Sequence, residues 1–380
     1  MRSTIVAASV LLLLAGFAAL KQTPARAGEI TPGYKVLEPI RHGNLTVFPV
    51  VAAKSYPTNE FITLDEGLRS GEVVVTEAGS VQGLVRRPST PLRHDGAEVN
   101  RLVLVNNSKR PLLLLAGEVV SGGKQDRVIG KDRIVPAESD PIDLSVFCVE
   151  HGRWVASSEH FGASEAMYGA AVHGGPMTNT PAPMAIMVQP SVRAKAMADK
   201  NQQEVWDEVS RQKDALVARV APTAPAAAKS IGGVTSYAKA NENDEVRKYV
   251  DSVAQPIEQN YQSLIRQLRD RNAVGVVVAV NGRIIWADIF ASTDLLSKYW
   301  PKLVRSYASE AFVTRAKEME VTTKQADAFL ADMDGRKETI ESEPGIYRHT
   351  EVTGDGFKAF ELTSLLPKTG FEVHVAKMAN

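Results

Sequence analysis

Apolar positions follow two regimes along this chain. From Gly33 to Val155 they come in short runs separated by turn residues: Leu45–Val51, Glu72–Glu77, Leu102–Val105, Leu112–Leu115, Val128–Ile129, Ile134–Val135 and Ile142–Val149. That spacing predicts strands, with Pro49 suiting an edge position and Leu64–Arg69 fitting one helical turn. Asn106–Pro111 supplies turn chemistry for a hairpin between Leu102–Val105 and Leu112–Leu115. Ile142, Leu144, Val146 and Cys148 alternate onto one strand face. The region 28–155 therefore reads as β-sandwich-like or as a partly closed barrel.

Beyond residue 190 the period changes. Val192, Ala196, Val205, Val209, Leu216 and Val220 recur at helical spacing and predict one amphipathic helix to about Arg219. The Ala/Pro run 221–228 and Gly232–Gly233 predict a linker or insertion near 221–243. Val246 to Leu268 follows a 3-and-4 spacing, with Pro256 expected to kink or divide the helix. Gly275–Val280 and Arg283–Asp288 flank Asn281–Gly282, the signature of a two-residue type I′ hairpin. Ser292 or Thr293 can cap a helix carrying Leu296, Tyr299, Leu303, Val304, Tyr307 and Ala311; Thr322–Met333 is a further short helix. Strands are expected at Ile346–Val352, Phe357–Leu362 and Phe371–Val375. The fold class is α+β, with 28–155 and 191–380 packing as one unit and 156–190 an irregular exposed loop.

The N-terminus has a basic start, an apolar run from Thr4 to Leu20, and small residues at Ala25 and Ala27. This is the layout of a secretory signal cleaved after Ala27, which predicts a periplasmic or secreted protein, membrane-attached only if the segment stays uncleaved. The whole chain holds 44 basic and 44 acidic residues, and removal of residues 1–27 leaves 41 against 44. No basic footprint exists for nucleic acid. One cysteine excludes an internal disulfide, so stability must come from the core.

Candidate chemistry concentrates after Leu112–Leu115, a buried strand by its length and flanks. Glu118, Gly122, Gly123, Lys124, Gln125, Asp126 and Arg127 follow it, and Glu150, Arg153 and Trp154 form a second charged group. Arg offers a planar fork to an oxyanion, Lys a point charge, glycine amides a cradle, and Trp a stacking face. The alternative is a structural network in which these charges pair with one another. No Walker motif is present, because Gln125 follows Lys124 and a strand follows the charges. His151, His160 and His173 match no zinc spacing, so neither metal nor cofactor is expected. Cys148 points with Val146 and Leu144 toward the apolar face, away from His151, and reads as structural. Two of Glu118, Asp126, Glu150 and Asp288 could serve a carboxylate hydrolase, with Glu118 or Glu150 as acid or base. Trp206, Trp286 and Trp300 sit at periodic positions and read as core or interface anchors, and an assembly role is a third possibility.

At Leu115–Glu118, Gly122–Arg127, Pro136 and Val146–Trp154, and on through Trp206 and Gly275 to Ala308, the chain resembles the ARG and rhodanese-phosphatase-superfamily-associated domain family, a bacterial and archaeal domain of unknown function. It departs at Asp126, where relatives often carry Asn, and at His151, where they often carry Gln. The resemblance implies a link to ADP-ribose or nucleotide metabolism, through association with ADP-ribosyl glycohydrolase-type proteins, and supplies no catalytic residues. Export points instead to a binding module for a small anionic ligand or an extracytoplasmic protein partner.

Overall fold

A computed structural model of the protein describes residues 33–77, 101–122, 125–150, 160–162, 186–268, 271–314 and 320–380. The first elements are β1 (Tyr34–Val36), β2 (Ile40–His42), β3 (Leu45–Ala52), β4 (Ile62–Thr63), α1 (Leu64–Ser70) and β5 (Val73–Glu77). Short strands follow: β6 (Arg101–Asn106), β7 (Leu112–Leu114), β8 (Val119–Gly122), β9 (Arg127–Ile129), β10 (Arg133–Val135), β11 (Ile142–Cys148) and β12 (His160–Gly162). The helical part comprises α2 (Pro190–Ala194), a π-helical turn at Lys195–Asp199, α3 (Gln202–Val220), α4 (Pro225–Gly233), α5 (Tyr237–Asn241) and α6 (Asp244–Gln267). The chain ends with β13 (Asn272–Val280), β14 (Arg283–Phe290), α7 (Thr293–Val313), α8 (Thr323–Ala331), β15 (Gly335–Glu343), β16 (Tyr347–Gly354), β17 (Phe357–Ser364) and β18 (Glu372–Ala379).

Three sheets result. A nine-stranded sheet runs β1-β3-β13-β14-β18-β17-β16-β15 with β2 on β3, a small sheet runs β10-β7-β4, and β11-β6-β5-β12-β8-β9 close into a barrel. The α+β class and the barrel expected from the N-terminal pattern are both observed. The two halves interleave, because β3 from the first pairs along its length with β13 from the second.

The β13–β14 hairpin lies inside the large sheet, between β3 and β18. Asn281 (φ 52°) and Gly282 (φ 69°) both take the left-handed conformation a type I′ turn requires. β13 is buried on both faces, which its Val/Ala run, interrupted only by Gly275, allows. Val276, Val278 and Val280 join the core under α6 and α7, while Val274, Val277 and Ala279 face Val321, Ala326 and Leu330 around α8. The alternation switches phase at Gly275, where the register with β3 slips. A Cβ there would lie 2.3 Å from the Asp288 carbonyl oxygen, so only glycine lets the strands meet.

Several expectations are corrected. β6 and β7 do not pair: β6 lies between β5 and β11, and β7 between β10 and β4. The Asn106 side chain explains the divergence, donating to Arg110, Val135 and Pro136 carbonyls and accepting from Ser108, which turns the chain out of the barrel. The single helix expected over 192–219 is split by Lys200 in the left-handed region (φ 52°) and restarted by Asn201 as N-cap of α3. The stretch 221–243, expected as a linker or insertion, carries the short helices α4 and α5, because Pro225 opens α4 and Ala228 and Ile231 find a core. α6 passes Pro256 undivided. β15 was not expected, being polar and mostly exposed at the sheet edge. The 156–190 loop lies outside the described residues except for β12 and the start of the segment at 186. Among the described residues no helix is long and apolar enough to cross a membrane.

Candidate ligand-binding cavity

The charge-dense segment turns inward. Glu118, Gln125, Asp126, Arg127 and Glu150 are all buried, and they divide into two clusters. Glu118 accepts from the Leu115 amide at 2.8 Å and pairs with Lys302 of α7, whose ammonium also meets Asp65 of α1 at 2.6 Å and lies 4.7 Å from the Tyr299 ring. Burial and the nearby Asp65 carboxylate push Glu118 up, while Lys302 opposes them. Asp126 accepts from Ser236 and the Ala238 amide, and Glu150 from Thr235 at 2.7 Å and the Asp126 amide at 3.0 Å, fastening the barrel to the start of α5. Arg127 donates to the Asp126 carbonyl and faces the Cys148 sulfur, which approaches Gln125 Oε1 at 3.1 Å. Burial pushes the Cys148 thiol up, in keeping with the structural role its strand alternation implies. Gly122 (φ 126°) uses its conformational freedom to end β8. Gly123, Lys124, Arg153 and Trp154 lie outside the described residues, as do His151 and His173.

A third buried cluster gave no sequence signal beyond Asp288. Arg193 of α2 donates to both Asp288 oxygens at 2.8 and 3.0 Å, and Tyr307 donates to the same carboxylate. His374 of β18 bridges Asp132 at 2.6 Å and Asp288 at 3.1 Å, and Asp132 accepts from the Ala116 amide at 2.7 Å. Burial would raise Asp288, but Arg193 and His374 outweigh it and hold the carboxyl well below the usual range. Burial would lower His374, but Asp132 and Asp288 hold it above its ordinary value. The imidazolium therefore donates from both nitrogens, and two carboxylates balance two cations. None of these side chains reaches solvent. The four carboxylates considered for a hydrolase, Glu118, Asp126, Glu150 and Asp288, are all enclosed in this way.

An open site lies one residue from that cluster. A cavity of about 260 Å³ forms where the barrel, the π-helical turn and the large sheet meet, lined by Lys131, Phe147, Met197, Lys200, His349 and Phe360 among others. His349 of β16 is 1% exposed, yet neither ring nitrogen has a hydrogen-bond partner. Burial pushes it below its ordinary value, so the ring is neutral, with one donor and one acceptor. Lys131 pairs with Glu341 across the seam, and Lys200 with Glu351 at 3.0 Å. Two backbone features mark the same wall: the π-helical turn itself, and Lys200 at positive φ. Both are rare conformations that concentrate at functional sites. Sequence reasoning missed this cavity because its residues come from three distant segments with no shared spacing. Among the described residues no group of three or more His, Cys, Asp or Glu side chains could hold a metal.

Fold and cavity together define an α+β protein with a closed barrel set against a large antiparallel sheet and a small-molecule-sized cavity at their seam. Residues 33–377 match the model of the ARG and Rhodanese-Phosphatase-superfamily-associated Protein domain, and the chain belongs to this family of unknown function. Comparison with curated proteins and with solved structures finds no match.

Proposed function

We propose that the protein is an exported binding module that takes a small ligand in the seam cavity. The observation carrying this reading is His349, a buried imidazole with two unpartnered nitrogens beside an open volume. Leaving such a group unpaired costs about 1–3 kcal/mol, and a ligand that pairs with it recovers that cost. The π-helical turn and the left-handed Lys200 support the same wall as the functional one. A concave site of this size with a mouth to solvent fits a small molecule better than the broad face a protein partner covers. The reading moves recognition from Glu118 and Gln125–Arg127, which are buried and engaged internally, to the seam beside them. Export, to periplasm or medium, rests on the signal-like pattern of residues 1–27.

Thermal unfolding in the presence of amino acids, sugars, carboxylates, phosphate esters and nucleotides tests the proposal. A compound at about 100 times its Kd adds roughly 2.7 kcal/mol to stability. At least one should raise the midpoint by several degrees; Met197→Trp, which fills the cavity, should abolish the shift, and His349→Phe should reduce it. A panel without any shift, or a shift that survives both substitutions, overturns the reading.

A further inference from the structure

We infer that the ligand is a small oxyanion on a flat apolar body, its charge held between Lys131 and Lys200 at the cavity mouth and its far polar end on His349. The inference rests on the cavity reading above and names the chemical class that cavity accepts.

Size comes first. A protein cavity of about 150 Å³ accepts benzene, so 260 Å³ admits roughly ten to twelve heavy atoms. That fits a substituted six-membered ring and excludes enclosure of a nucleotide or of ADP-ribose. Shape follows from the walls: Met197 and Phe360 are buried, Phe147 is half-buried, and the His349 and Phe360 rings lie 5.9 Å apart at a tilt of 31°. Such walls take an apolar, flat body.

Charge follows from the mouth. The Lys131 and Lys200 side chains keep 25% and 47% of their exposure, which places their ammonium groups at the solvent end, while His349 is sealed. Each lysine already has a glutamate, but each glutamate has a second partner. Glu341 also accepts from Tyr347, and Glu351 also pairs with Lys358 at 3.3 Å. Either lysine can turn to an incoming anion without stranding the carboxylate it leaves. Glu341 and Glu351 are thus held in place, and the lysines are the exchangeable members. At the inner end a neutral imidazole offers one donor and one acceptor on different ring edges, and a ligand hydroxyl can pair with one of them in either role where a hydrogen atom pairs with neither.

Titration calorimetry of the full chain with matched probes tests the assignment: 4-hydroxybenzoate, the neutral 4-hydroxybenzyl alcohol, benzoate and phenyl phosphate. 4-Hydroxybenzoate should bind one per chain and at least tenfold more tightly than the alcohol, and the double substitution Lys131→Met, Lys200→Met should erase that preference. Benzoate should bind several-fold more weakly than 4-hydroxybenzoate in the natural protein but not in His349→Phe. Comparison of benzoate with phenyl phosphate identifies the oxyanion as carboxylate or phosphoryl. If the alcohol binds as well as the acid, with binding lost in His349→Phe, the oxyanion assignment falls and the cavity reading stands. If no probe binds while another compound shows a His349-dependent thermal shift, this ligand class falls alone. If neither assay finds His349-dependent binding, both fall.

Discussion

Asp288 joins three buried side chains, since Arg193, Tyr307 and His374 all converge on it. Replacing one member of a buried charge cluster leaves its partners uncompensated, at a cost of about 3–5 kcal/mol. Asp288→Asn should therefore lower the unfolding free energy by that order in urea titration, and a loss under 1 kcal/mol would show the cluster to be dispensable. His374 adds a pH dependence of definite sign. Its folded value lies above the ordinary 6.5. Below about pH 6.5 both folded and unfolded imidazoles are charged, and its contribution is complete. As pH climbs through the folded value that contribution is lost. Asp132 and Asp288, held below 3.8, behave oppositely: theirs is present above about pH 4 and lost as pH falls through their folded values. The stability difference between the natural protein and His374→Gln should be flat from pH 5 to 6 and shrink steadily above 6.5. A difference growing with pH would mean that the ring is held neutral.

At the scale of elements, β13 depends on one absent methyl group. Gly275→Ala would set a Cβ against the Asp288 carbonyl and the Ile289 side chain on β14, forcing apart an interior pair of the large sheet. Overpacking of this kind costs about 1–3 kcal/mol or more. Gly282→Ala, at the hairpin turn, strains a positive φ and should cost less, about 1 kcal/mol. Equal losses in the two thermal midpoints would remove Gly275 as the critical position. The hairpin itself was legible in the sequence, because Asn281–Gly282 and β-branched flanks are local signals; so were the buried strand at Leu112 and the inward alternation of Cys148. Partners of those strands were not legible. β6 and β7 read as a hairpin because their turn chemistry is local, whereas the Asn106 bonds that separate them reach Val135 and Pro136. The buried charges escaped for the same reason: His374 between Val373 and Val375, and Lys302 before Leu303, each look like an isolated polar residue until tertiary pairing supplies its counterion. His349 was invisible because a cavity has no sequence period.

Across the whole molecule, stability should grade outward from β13 to β15. β13 is buried on both faces inside the sheet between β3 and β14, while β15 is an exposed edge whose strand partner among the described residues is β16; it is tied within the sheet by Lys337–Glu361 and across the seam by the Lys131–Glu341 and Arg133–Glu343 pairs. Lys200–Glu351 adds a third tie across the same seam, from the α2–α3 junction to β16. Part-exposed pairs of this kind are worth about 0–1 kcal/mol each, and raising salt from 0.1 to 1 M shortens the screening length from about 10 to 3 Å. Local opening draws on just such weakly held elements. Amide hydrogen exchange should accordingly be slowest in β13 and fastest among sheet strands in β15, and added salt should speed exchange in the Ile340–Glu343 half of β15 while leaving β13 unchanged. The cavity lies against that half of β15, since Ile340 and Glu341 line it. A ligand bridging Lys131 and His349 would stitch barrel to sheet at the place where salt loosens them, so it should slow β15 exchange and oppose the salt effect. Exchange that is uniform across the sheet, or salt-independent in β15, would mean that apolar packing rather than the seam ion pairs holds the edge, and that the cavity opens only with the whole fold.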